Sequence, residues 1–200
     1  MFIAVIGATG RVGKHVVRQA LNRGHTVRAL TRSAPTYEHE GLSWVRGSVE
    51  DGAAVKALIL DSDAAISAIG PSGKMDTCSV STTSLIAAGV RRLIVVSGSG
   101  IDAPGDRKDV IGRVASTIVK WLSPQVFADK VKELSILLES DIDWTAARAG
   151  AILKGDEIKP VKVSLLRLDG NAINCASLAA FCIEEAEQHR YPRQAPFVGN

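Results

Sequence analysis

The chain opens on an apolar run, Phe2–Ile6, that ends in glycine. Apolar residues then recur at Val16, Val17, Ala20 and Leu21, the spacing of one helix face, within Lys14–Arg23. Gly24 follows, where a C′ glycine ends a helix. The same alternation continues along most of the chain. Strand-like runs are predicted at Thr26–Leu30, Leu42–Arg46, Ala64–Ile69, Leu93–Val96 and Trp144–Ala149, with a further one at Val161–Leu166. Helices are predicted over Asp51–Leu60, Asp76–Ala88, Lys108–Leu122, Gln125–Ser140 and Ser177–Gln188. Glu50 and Asp51 stand at the helix end that favours acids, and Ser123-Pro124 separates the two middle helices.

Apolar strands, each followed by a helix, describe a parallel sheet covered on both faces. With right-handed crossovers the fold class is α/β, a Rossmann-type doubly wound parallel sheet with helices on both faces. No repeat, low-complexity tract or linker interrupts the pattern, so residues 1–200 are expected to form a single domain. Ligands in such sheets sit at the C-terminal ends of the strands. That rule singles out Gly7–Gly13, Thr31–Ser33, Gly47-Ser48, Ser67–Gly70, Ser97–Gly100 and Arg148–Ile152.

The first of these segments carries the strongest signal. Gly7, Gly10 and Gly13 are spaced G-x-x-G-x-x-G between a strand and a helix. Glycine permits the tight turn and the close approach of backbone to a pyrophosphate, and the helix N-terminus supplies oriented N–H groups. Thr9, Arg11 and Val12 complete the loop, so these six are expected to bind a dinucleotide cofactor. After the second strand, "VRALTRSAP" places Thr31, Arg32 and Ser33 where an NAD site has an acid for the ribose 2′-hydroxyl. A guanidinium and hydroxyls suit a 2′-phosphate, so NADP(H) is expected in preference to NAD(H). Ser67, Ala68, Ile69 and Gly70, after the fourth strand, are expected to border the same cofactor.

Charge and composition narrow the field. The 24 basic and 21 acidic residues are scattered, with no basic block, which argues against a nucleic-acid partner. Three cysteines, Cys78, Cys175 and Cys182, match no metal spacing and read as free thiols in a reducing compartment. No apolar run reaches transmembrane length, so no membrane partner and a cytoplasmic location are expected. The four histidines show no metal-ligand spacing, so no metal is expected, and His15 is expected at the surface.

The segments "IGATGRVG", "ALTRS", "VRGSVED", "AISAIG", "LIVVSGSG" and "KELSILLESDIDWTAARAGAI" come in order. Together they resemble the atypical short-chain dehydrogenase/reductases, in particular the NmrA-like proteins and the biliverdin reductase B/flavin reductase family. The resemblance implies an NADPH-binding Rossmann fold with a substrate cleft built by C-terminal segments. It implies an adenine contact at Ser48, where the family often has aspartate. It also implies a nicotinamide wall at Arg148-Ala149-Gly150, where the family often has Arg-Pro-Gly. Ser97 and Gly98, at the end of the fifth strand, are expected to contact the cofactor, and Gly150, Ala151 and Ile152 are expected to line the nicotinamide pocket through backbone and small side chains.

The Tyr-x-x-x-Lys pair of the main dehydrogenase branch is absent, since neither Tyr37 nor Tyr191 precedes a lysine by four. Phe127, Val131, Leu134 and Leu138 make an apolar stripe in that region, with Lys130 beside it. Desolvation there favours a lowered lysine pKa. By resemblance, Lys130 occupies an active-site position, where it either donates a proton or holds the nicotinamide ribose. The bland alternative is a lysine stem covering the core edge. Ser97 resembles the serine that bonds substrate or nicotinamide, with a strand-end cap as the alternative. Arg148 points at the same edge or pairs with a carboxylate. Segments 101–124 and 150–175 are expected to form the substrate cleft, the first as a lid, a wall or an oligomer contact through Trp121.

The expectation is an NADPH-dependent reductase passing hydride to a small conjugated acceptor, as a monomer or homodimer. The alternative is a non-catalytic NADP(H)-binding redox sensor of the NmrA-like kind. A nucleotide-sugar epimerase ranks third, because that chemistry needs the missing Tyr-x-x-x-Lys pair.

Overall fold

The computed structural model describes residues 1–33, 37–70, 76–107, 114, 117 and 120–200. Its strands are β1 (Phe2–Ile6), β2 (Thr26–Thr31), β3 (Leu42–Arg46), β4 (Ala64–Ser67), β5 (Arg92–Gly98), β6 (Asp143–Ala149), β7 (Ala151–Leu153), β8 (Lys162–Ser164), β9 (Ala172–Asn174) and β10 (Phe197–Gly199). The named helices are α1 (Gly13–Asn22), α2 (Gly52–Ile59), α3 (Thr77–Ala87), α4 (Pro124–Glu139) and α5 (Cys175–Gln188).

Eight strands form one sheet in the order β3-β2-β1-β4-β5-β6-β10-β8, and β7 pairs with β9 separately. Every pair in the large sheet is parallel except β10 with β8. The doubly wound expectation therefore holds. Alternation along β1 shows how the core divides. Ile3 and Val5 pack into the layer of α1 and α5, while Ala4 and Ile6 pack into the layer of α2, α3 and α4. Burying such aliphatic side chains contributes roughly 1.5–3 kcal/mol each. The wide apolar content of the central strands follows from having helices on both sides.

Departures from the sequence reading have local causes. β5 begins at Arg92, because that guanidinium is buried against Asp143, Thr145 and Glu185 at 2.8–2.9 Å rather than ending the strand. α5 begins at Cys175, where the Asn174 side chain accepts from the Ser177 amide at 2.8 Å. The expected Val161–Leu166 strand shortens to β8. β7, β9 and β10 have three residues each, too few for a period to show. The expected helix Lys108–Leu122 lies largely outside the described residues. Trp121 at its end is 81% exposed.

α4 turns a different face inward from the one its apolar stripe suggests. Val131 and Leu138 are exposed, while Asp129, Lys130 and Glu133 are buried beside Leu134 and Leu137. Polar partners on α3 and β5 decide this. His15 is also buried, against the expectation of a surface position, with Arg18 at 3.2 Å and Asp156 at 3.5 Å. Burial, reinforced by Arg18, lowers its pKa, so the imidazole is neutral near pH 7. No described helix is long and apolar enough to cross a membrane.

Candidate functional site

β1 lies between β2 and β4, and the chain leaves these strands toward opposite faces of the sheet. At their C-terminal ends opens a cleft of about 460 Å³, within the usual size for small-molecule sites. Its floor is the glycine loop. Gly7 has φ +76°, and a Cβ there would stand 2.9 Å from the Ala68 carbonyl. A Cβ on Gly13 would run into the Gly7 carbonyl oxygen. The sequence therefore needs both glycines, the first for its left-handed turn and the second for strand–helix approach. Gly7, Thr9, Gly10, Arg11 and Val12 line the cleft, while Gly13 supports the loop from behind.

One half of the cleft lies toward β2 and β3. Thr31, Arg32, Gly47, Ser48 and Glu50 line it. Arg11 and Arg32 are exposed and make no ion pair among the described residues. α1 has no acid in its first turn and no side-chain cap at Val12, which leaves its positive end open to an anion. The Thr31 hydroxyl donates to the Ser33 carbonyl at 2.9 Å, so Ser33 shapes the turn and does not line the cleft. Ser48 Oγ accepts from the Glu50 amide at 3.3 Å.

The other half lies toward β4, β5 and β7. Ala68, Ile69, Gly70, Thr77, Val80, Val96 and Ile152 line it, and no lining residue there is titratable among those described. Ser67 and Ser97 are buried in their strands beside lining residues. Gly98 ends β5, Gly150 packs on the Asn171 carbonyl and Ala151 starts β7. Of the two expected cleft segments, 150–175 contributes Ile152; the described part of 101–124 contributes no lining residue.

The two cations expected at this end are held inside the protein. Lys130 Nζ donates to the Val96 carbonyl and to Glu133, both at 2.8 Å. Burial, the largest single influence, would lower its pKa, but the Glu133 carboxylate and the Cys78 sulfur together hold the ammonium above its ordinary value. This reverses the expected lowering. Beside it, burial pushes the Cys78 thiol up to about 12 despite the nearby ammonium. Arg148 is fully buried. It donates to both carboxylate oxygens of Asp106 at 2.6 Å, and to the Ala195 and Ile101 carbonyls. Its guanidinium also stacks 3.8 Å from the Phe197 ring centroid. The carboxylate pairing, one of the two readings open from sequence, is the one observed.

Sequence reasoning misses Thr77 and Val80, because α3 is built of small residues without a clear apolar face. It also misses Asp129. That carboxylate accepts from the Cys78 and Ser79 amides at 2.9 Å each and so caps α3 from another helix. Burial opposes its ionisation, but hydrogen bonds from Ser79 and Cys78 prevail and lower its pKa. No His, Cys, Asp or Glu cluster among the described residues suits a metal.

The arrangement fits a dinucleotide. A glycine floor admits a pyrophosphate, an open helix terminus and two exposed arginines face its charge, and an apolar end suits a flat ring. Solved structures agree at the level of fold. A proposed exported protein from Burkholderia pseudomallei is 26% identical, with TM-score 0.80 and full coverage of both chains. A proposed NADH-flavin reductase from Streptococcus pneumoniae is 23% identical, with TM-score 0.80 over 100% of this chain and 99% of that one. An anaerobilin reductase from Escherichia coli O157:H7 is 21% identical, with TM-score 0.79 over 100% and 97%. No curated protein sequence matches significantly. The family model described as NAD(P)H-binding matches residues 7–189, from the first loop glycine to the end of α5, and the chain belongs to that NAD(P)H-binding family.

Proposed function

We propose that this protein is an NADPH-dependent reductase acting on a small conjugated acceptor such as a flavin, a quinone or an enone-like compound. The carrying observation is one cleft with a cationic half and an apolar half. Arg11 and Arg32, with Thr31 and Ser48, would hold the adenosine end and its 2′-phosphate. The start of α1 would face the pyrophosphate. Ile69, Gly70, Val96 and Ile152 would hold the nicotinamide end. When bound, the cofactor supplies a hydride. The chain's own residues bind, orient and exclude water. Among the described residues no lining side chain at the apolar end is titratable, which suits acceptors whose reduced forms take a proton from water. The relatives named for anaerobilin and for flavin reduction support the reductase class. The preference for NADPH rests on the arginines, since the pneumococcal protein is named for NADH.

The same lack of a titratable lining group among the described residues favours a second reading, a non-catalytic NADP(H)-binding redox sensor of the NmrA-like type. Trp121 and Leu122, both exposed, would then meet a partner. The test is NADPH oxidation by the purified protein across flavins, quinones and conjugated carbonyls, with NADH alongside. Rapid oxidation with one acceptor class is expected. Tight NADPH binding without turnover on any acceptor contradicts the reductase and selects the sensor. We also place the protein in the cytoplasm, on its three free, buried cysteines; cell fractionation checks this against the exported assignment of the Burkholderia relative.

A further inference from the structure

One turn of α4 fastens two walls of the apolar half. Lys130 Nζ reaches the Val96 carbonyl at 2.8 Å. Val96 lines the cleft and stands one residue past Ser67↔Val95, where the β4–β5 pairing ends. The neighbouring Asp129 accepts from the Cys78 and Ser79 amides and so fixes the start of α3. α3's own N-cap residue, Asp76, makes no side-chain cap. Thr77 and Val80, at that same start, line the cleft together with Val96 of β5. Glu133 joins the two anchors. It takes the Lys130 ammonium at 2.8 Å and the Thr82 hydroxyl of α3 at 3.4 Å.

All three side chains are buried, at 8%, 8% and 1% exposure for Asp129, Lys130 and Glu133. Such burial makes their geometry stiff, because each charged atom lacks water as a substitute partner. Helix α4 contributes no lining residue of its own among those described, so its influence on the cleft runs through Val96 and α3.

We propose that Asp129, Lys130 and Glu133 are positioning residues that set the spacing between the end of β5 and the start of α3, and thereby the grip on the nicotinamide half of the cofactor. The proposal rests on the cofactor reading above. It gives Lys130 a role other than proton donation. Its ammonium is directed at Val96 and Glu133, and the lysine does not line the cleft.

The test compares two ligands, NADPH and 2′-phospho-ADP-ribose, which lacks nicotinamide. Both are titrated against wild type, Asp129→Asn, Lys130→Met and the double variant Lys130→Met/Glu133→Gln. The double variant removes both charges together, so a folded protein is available where Lys130→Met alone strands Glu133. Wild type should bind NADPH more tightly than the fragment. The variants should bind the fragment within about twofold of wild type and NADPH about tenfold more weakly, the loss expected for one or two hydrogen bonds' worth of alignment. Lys130→Arg should recover part of that loss. Equal weakening of both ligands would make the three residues merely structural and overturn the proposal, as would unchanged NADPH affinity. Wild type binding both ligands equally would overturn the proposal alone. Wild type binding neither would remove the cofactor reading with it.

Discussion

Arg11 and Arg32 stand exposed and without ion pairs among the described residues. Lys130 and Arg148, cations expected at the other end of the same cleft, are buried and joined to Glu133 and Asp106. Free cations attract a charged ligand at modest cost, because water solvates them until the ligand arrives. Buried pairs offer a ligand no charge, but they hold the surrounding backbone in place, since breaking them strands a partner. The first half is thus equipped for recognising phosphate, the second for presenting a shaped apolar wall.

The comparison breaks most severely at Arg148. Arg148→Met leaves a gap at a fully buried site, strips part-buried Asp106 of its ion-pair partner and should cost about 2–4 kcal/mol of stability, read by urea unfolding. A change under about 1 kcal/mol would mean the pair is no anchor. Next comes the glycine floor that both halves share. Gly13→Ala pushes a Cβ against the Gly7 carbonyl and should weaken NADPH binding on the order of 100-fold in protein that keeps its circular dichroism. Arg32→Ala sharpens the comparison from the cationic side. It should weaken NADPH by about 10- to 150-fold and leave NADH nearly unchanged in parallel titrations.

The smallest effect lies at Asp129. Asp129→Ala removes a helix cap and should cost about 1 kcal/mol at pH 7. The folded protein lowers this carboxyl's pKa below its ordinary value of 3.8. Its stabilisation is therefore complete above pH ~4 and is lost as pH falls through the lower, folded value. The gap between wild-type and Asp129→Ala melting curves should close in that acid window. A gap that persists there would show that the carboxylate's charge is not what stabilises α3.

How far the sequence reaches follows the same division. The β1–Gly7–α1 segment is legible because its signals are local: an apolar run, three spaced glycines and a helical period within one stretch. Arg32 is legible as well, since its position follows directly from the end of β2. The fate of Lys130 is only half legible. Glu133 stands three residues on, so the pair is written in the sequence, but its depth depends on where β5 meets α4. Asp129 meets amides about fifty residues earlier in the chain, and Arg148 meets Asp106 and Ala195 on separate loops. No periodicity carries such contacts. They also explain why α4 buries charged residues in place of Val131 and Leu138.

The central claim is that the free arginines select the cofactor. Its most direct test is the affinity of the wild-type protein for NADPH and NADH, titrated at about 0.05 and 0.3 M salt. The account predicts NADPH tighter by about tenfold or more, with the gap narrowing as salt screens the exposed guanidinium groups. Equal affinities, indifferent to salt, would contradict it.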